Sequence, residues 1–254
     1  MTVDNMRKRS RKLFLPALLL AFVPPAVAGL WDDPQNLKVL PEDISPDALR
    51  ETMRSFATGT GSRCFTCHVG EVEADLSTYD FTLDDKEPKR KARHMIRMVN
   101  DINAYLSAEL GKPAAELVRV ECATCHRGRP KPEMLEDVIE GAYRDDGMDA
   151  AIAKYRELRD RYYGDYAFDF SPRPMLTLAE RLAAEENYAA AVRFLDLNMA
   201  FHPDSTRTLQ VKAQVQAAAG DPAAARATLL RAIDLEPDNP WTRQLLDDLE
   251  PDRD

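Results

Sequence analysis

Apolar positions along the chain recur mostly at helical spacing. Leu49, Met53 and Phe56 follow Ser45-Pro46, a serine N-cap with proline at the first helical position, so a helix is predicted to open there. Ala92, Met95, Met98, Ile102 and Leu106 repeat the three-and-four pattern from near Pro88, and Gly111 is placed to end that helix. Val118 to Val120 reads as a short strand. After Met134 the composition becomes alanine-rich and helical. Ala150, Ile152, Tyr155 and Leu158 form an amphipathic stretch expected to pair with a helix over residues 135 to 143, and Trp241 to Leu249 is expected to form a terminal capping helix. The predicted fold class is mainly α, with little strand.

A period appears within the second half. Asn187-Tyr188-Ala189-Ala190-Ala191 recurs 34 residues later as Asp221-Pro222-Ala223-Ala224-Ala225. At the same offset Leu195 maps onto Leu229, Phe201 onto Leu235, and Pro203-Asp204 onto Pro237-Asp238. Paired helices at this period resemble the tetratricopeptide repeat over about residues 174 to 241. The copies depart where Glu186 stands opposite Gly220 in the inter-helix turn. An ordinary helical bundle is the alternative. The chain is therefore divided into a first region over residues 29–135 and a helical-repeat region over residues 136–254.

Ahead of both lies a basic segment, Arg7 to Lys12, then an apolar run from Leu13 to Val27 and the small-residue site Ala26-Val27-Ala28. That order is a secretory signal over residues 1–28, predicting export to the periplasm. Pro16, Pro24 and Pro25 make the run too short and kinked for a comfortable membrane span, so no integral span is expected after cleavage. An uncleaved anchor is the alternative, and peripheral membrane association stays open. The whole chain carries a formal charge of −9. The leader holds five basic residues and one acidic, which leaves −13 for the remainder. An acidic chain without a long basic stripe argues against nucleic acid as a partner.

The four cysteines form two pairs, each followed by histidine: Cys64-Phe65-Thr66-Cys67-His68 and Cys122-Ala123-Thr124-Cys125-His126. On one helical turn, thiols three residues apart share a face and can reach the two vinyl groups of a haem as thioethers. The next residue then offers an imidazole to the iron. Covalent attachment follows export, which agrees with the leader. A redox pair, structural zinc and structural disulfides compete. None of them needs every cysteine of the chain in this spacing, twice, with a histidine after each pair. Two covalently attached c-type haems are thus expected on Cys64, Cys67, Cys122 and Cys125, with His68 and His126 as iron ligands.

Each iron has a second axial position. Met53 lies on the helix before the first motif, and Met95 and Met98 lie on the helix before the second, so both motifs follow a methionine-bearing helix. Met98, Met134 and His94 remain alternatives to Met95 for the second iron.

The stretches Asn36 to Leu40 with Met53, Cys64 to Val69, Arg93-His94-Met95 with Val99, and Cys122 to Pro130 resemble the cytochrome subunit of photosynthetic reaction centres, specifically one two-haem half of it. The resemblance covers about residues 35 to 132. It implies that methionine on the preceding helix is the sixth ligand, hence Met53 and Met95, with Met98 second because its position resembles an apolar one in the family. Better-known members carry four haems and many are anchored through an N-terminal cysteine, whereas this chain has two motifs and Cys64 is its first cysteine. The repeat tail lies outside the resemblance.

With histidine and methionine on both irons no position is open to substrate, so the expectation is an electron carrier rather than an enzyme. A five-coordinate iron that reduces peroxide or nitrogen oxides is the enzyme alternative. A respiratory or extracellular carrier is the alternative to photosynthesis, and an assembly module with zinc or disulfides is the non-redox one. Expected partners are redox proteins, including a membrane-bound complex, and a protein docked on the tail. Arg127, directly after the second motif, is a candidate for a haem propionate. The six basic residues between Lys86 and Arg97 would steer an acidic partner or form a solvated face. Trp31, Tyr79 and Phe81 are candidates to pack on a porphyrin face or in a core.

Overall fold

A computed structural model describes residues 29–72 and 75–249; the predicted leader, residues 1–28, lies outside the described residues. Helix α1 (Pro46–Thr60) opens where Ser45 caps it, the hydroxyl accepting the Ala48 N–H at 3.3 Å, and Gly61 closes it at φ 61°. Helix α2 (Cys64–Cys67) is a single turn carrying the first cysteine pair. Helix α3 (Glu87–Leu110) has Pro88 in its first turn and ends at Gly111 with φ 58°. Helix α4 (Cys122–His126) carries the second pair. Among the described residues the strand content is one isolated antiparallel bridge, Val69 with Asp80. The molecule is mainly helical, as expected.

The expected strand at Val118–Val120 is absent. These residues form an irregular segment in which Val118 is 86% exposed. The N–H and carbonyl of Val120 are both satisfied by one side chain: Asn103 Oδ1 accepts at 2.9 Å and its Nδ2 donates at 2.8 Å. A carboxamide on α3 thus replaces the neighbouring strand that a ladder would need.

The second half is a series of antiparallel helix pairs. Helices α5 (Leu135–Asp146) and α6 (Met148–Tyr162) form the first, α7 (Arg173–Ala184) and α8 (Tyr188–Phe201) the second, and α9 (Thr206–Ala218) and α10 (Pro222–Leu235) the third, with α11 (Pro240–Asp248) at the end. The 34-residue register holds at the caps: Asn187 and Asp221 accept the Ala190 and Ala224 N–H groups. Ser205 and Asn239 do the same at α9 and α11. The sequence departure at Glu186 does not change the backbone. Glu186 adopts φ 60° where Gly220 adopts φ 83°, so the turn takes a left-handed residue in both copies.

Burial differs sharply between the halves. Leu135, Ile139, Tyr155, Met175, Leu178 and Phe194 are at most 2% exposed and belong to one cluster spanning α5 to α9. Before Leu135, the buried apolar residues among those described are Leu49 and Tyr79. A stretch of that length cannot be held by a core so small. Close backbone packing compensates in one place: α1 meets α4 at Gly59, where an added Cβ would lie 3.0 Å from the Ala123 nitrogen and from Cys122 Cβ. Among the described residues no helix is long and apolar enough to cross a membrane.

Candidate haem sites

Both motif turns are built alike. The threonine in each accepts the N–H of the residue before the first cysteine: Arg63 N to Thr66 Oγ1 at 3.3 Å, and Glu121 N to Thr124 Oγ1 at 2.9 Å. The return bonds, Thr66 N to Arg63 O and Thr124 N to Glu121 O, are 2.9 and 3.0 Å. The hydroxyl therefore starts the turn that aligns the two thiols. The repeated threonine was a visible signal in the sequence, but its role was not. All four cysteines are free; Cys64 and Cys125 are exposed and Cys67 and Cys122 half-buried. Burial pushes the Cys67 and Cys122 thiols above their ordinary pKa. Among the described residues there is no cluster of three or more metal-binding side chains.

Around the first motif the structure brings the predicted residues together. A cavity of about 510 Å³ is lined by Met53, Cys64, Cys67 and His68, a volume within the usual range for a bound cofactor. Leu49, Met53, Phe56 and Thr60 present one face of α1 to it, and Ala92, Arg93 and Ile96 present one face of α3. Trp31, Tyr79 and Phe81 also line it. The Phe81 ring meets the His68 ring edge-on at 4.8 Å and stacks on Tyr79 at 5.9 Å. Tyr79 is fixed by its hydroxyl, which donates to the Glu71 carbonyl at 2.7 Å. Burial, then Lys89, Arg93 and Lys86, push the His68 pKa down to about 4, which keeps the ring in the neutral form that binds a metal. Its Nδ1 is buried without a hydrogen-bond partner.

The basic run from Lys86 to Arg97 is only in part an open face: Arg90, Lys91 and Arg97 are exposed, whereas Lys86, Lys89 and Arg93 turn inward. Lys86 donates to the Phe65 carbonyl, Lys89 to those of Phe81 and Leu83, and Arg90 to those of Asp84 and Asp85. Asp84 binds Lys38 at 2.7 Å, Arg93 at 2.7 Å and Lys89 at 3.2 Å, and these partners hold its carboxyl well below the usual carboxylate range. The cations thus fold the segment before α3 against the cavity. Lys89 is 8% exposed. Reading the whole run as a surface feature misses its inner half, because nothing in the spacing of Asp84 and its neighbour Asp85 marks Asp84 as the partner of Lys38, Lys89 and Arg93.

The second motif is organised differently. His126 Nδ1 lies 2.9 Å from the Arg129 carbonyl oxygen. A carbonyl only accepts, so Nδ1 carries the proton and Nε2 keeps its lone pair for a metal. The chain returns to the ring through two left-handed residues, Arg127 at φ 51° and Gly128 at φ 76°. Arg127 is exposed, while Arg129 is buried. Met95 is half-buried on the side of α3 that carries Val99 and Asn103, and Asn103 is the residue that holds Val120 just ahead of Cys122. Met98 is 41% exposed, and Ile102 and Tyr105 continue an exposed apolar stripe from it at 36% and 66%. His94 is exposed, and Met134 is 49% exposed at the start of α5.

The residues present fit a haem at the first motif: an apolar cavity, a neutral imidazole, paired thiols and a thioether line one space. At the second motif they fit through the thiol pair, an imidazole with a fixed tautomer and an uncovered apolar helix face.

Comparison with known families agrees with this chemistry. Residues 32–156 match the family model of the photosynthetic reaction centre cytochrome C subunit. The match supports a c-type cytochrome region with covalently attached haem c. It reaches past the second motif through α5 and into α6. No curated protein gives a match.

Proposed function

We propose that the protein is an exported, periplasmic dihaem c-type cytochrome that carries electrons between protein partners. The observation that carries this reading is the first-motif cavity, where Met53, Cys64, Cys67 and His68 line one apolar space in a region that has almost no core of its own. When bound, haem supplies a one-electron ferric/ferrous couple. Cys64 and Cys67 would hold one porphyrin through thioethers, and Cys122 and Cys125 the other. His68 and Met53 would ligate the first iron, His126 and Met95 the second. Met95 is preferred over Met98 because it shares the half-buried side of α3 with the residue that ties this helix to the approach to α4. With two protein ligands on each iron no position would be left for substrate, which favours a carrier over an enzyme. Arg93, a guanidinium that lines this apolar cavity, is suited to a haem propionate and joins Arg127 as a candidate for that role.

The family match favours a membrane-bound photosynthetic complex as redox partner, and the repeated helix pairs suit a module that binds a protein beside it. The test is the optical spectrum and intact mass of protein matured in a host that attaches haem. Two haems per chain and a reduced spectrum unmoved by carbon monoxide are expected. A colourless protein, or one that binds carbon monoxide readily, overturns the reading. Replacing Met95 and then Met98 while following the methionine-to-iron charge-transfer band assigns the second ligand.

A further inference from the structure

Arg129 is 6% exposed, unusual for an arginine. Its guanidinium carbon lies 3.7 Å from the centre of the Phe168 ring, and one terminal nitrogen donates to the Glu133 carbonyl at 2.6 Å. Its Nε is buried with no hydrogen-bond partner. Phe168 belongs to the aromatic segment between α6 and α7, is 8% exposed, and packs on Tyr162 and Phe170 at 5.6 and 6.0 Å. A desolvated guanidinium over an aromatic face is held there by the ring quadrupole, which fixes the side chain.

The other end of the same residue touches the candidate iron ligand, since the Arg129 carbonyl oxygen lies 2.9 Å from His126 Nδ1. The turn between them is closed by Arg129 N to His126 O at 2.9 Å. It is tied to α1 by Gly128 N to Gly59 O, also 2.9 Å. One residue therefore joins the aromatic segment of the helical tail to the imidazole of the second motif.

We propose that Phe168 is a positioning residue for the second iron. By holding Arg129 it keeps the Arg129 carbonyl on His126 Nδ1, and that hydrogen bond sets how strongly the imidazole donates to the metal. The inference rests on reading the second motif as a haem site. A histidine that donates its Nδ1 proton to a carbonyl is the more basic ligand, which favours the ferric state and lowers the potential. His68 has no such acceptor, so the first iron is the internal control.

The test uses the full-length matured protein, with each haem assigned by the spectrum of the C122A/C125A variant, which retains the first alone. In Phe168→Leu, intact mass should still show two haems. The ferric/ferrous equilibrium of the second iron should move about tenfold toward ferrous, a rise of about 59 mV for one electron. The first iron should not move. Arg129→Met should give the same shift, and Phe168→Tyr, which keeps the ring, should behave as the parent. Should Phe168→Leu fail to fold by circular dichroism, Arg129→Met decides the matter alone. Two haems with an unmoved second potential in Arg129→Met would overturn the proposal, as would an equal shift of both irons. A parent protein lacking the second haem would instead overturn the proposed function.

Discussion

The residues before Leu135 and those after it are both helical, yet they are held together by different means. From α5 onward, apolar side chains on consecutive helix pairs close over one another, and Phe194, Leu178 and Leu182 are fully buried. Before α5, the helices are short or expose one face, and the space they surround is a cavity rather than a packed interior. Backbone contacts at Gly59, side-chain bridges such as Asn103, and the ion pairs of Asp84 do the joining there. The tail buries its own apolar surface, whereas the first region surrounds an apolar space, the arrangement expected of a region built around a covalently held cofactor.

The sharpest break of that comparison is removal of haem. Chain bearing alanine at all four cysteines should lose the order of α1 to α4 while α5 to α11 stay folded. Limited proteolysis read by mass spectrometry should cut before residue 135 and spare the tail. Equal resistance in both halves would mean that the first region needs no cofactor.

Next in size is Phe194→Ala. This fully buried ring should cost about 3–5 kcal/mol in the tail by urea denaturation, with the haem spectrum unaltered.

A pair of glycines sharpens the picture at smaller scale. Gly61 and Gly111 both end helices, at φ 61° and 58°. An added Cβ on Gly61 would overlap the Gly128 carbonyl, whereas on Gly111 it would meet nothing within 4 Å. Gly111→Ala should cost only the left-handed strain, about 1–2 kcal/mol. Gly61→Ala should cost more and should disturb the second motif, visible as a changed haem spectrum.

The smallest effect expected is pH-dependent and confined to the first motif. Asp84→Asn leaves Lys89 and Arg93 without their carboxylate. The Asp84 carboxyl is held below its ordinary value chiefly by Arg93, then Lys38, so its stabilisation is present at neutral pH and lost on acidification. The gap in denaturation midpoint between parent and Asp84→Asn should therefore be open at pH 7. It should close as pH falls through the usual carboxylate range and below. A gap that widens in acid would contradict the pairing.

How far each element could be read from sequence follows from how local its cause is. Ser45-Pro46 and Gly111 mark helix ends because capping involves groups a few residues apart. The 34-residue register survived even at Glu186, since the turn needs a backbone conformation and not a particular residue. Val118–Val120 was misread because its hydrogen bonds go to Asn103, 17 residues away, and apolar periodicity does not report such a partner. The basic run is legible only in part for a similar reason: whether a cation faces water, as Lys91 and Arg97 do, or carbonyls, as Lys89 does, depends on where residues 81–86 return.

The covalent chemistry that the family match supports was legible in the sequence, because two thiols and an imidazole must sit at one short spacing to meet a porphyrin and its iron. The helical class and the succession of helix pairs were legible too, since they arise from periods of a few residues and a few tens of residues. Folding in three dimensions was needed to bring Met53 and His68 to one cavity, to leave Met95 half-buried and Met98, one turn on, exposed, and to bury Arg129 rather than Arg127. Those outcomes depend on how separate elements close on one another, and that closure is a property of the packed chain.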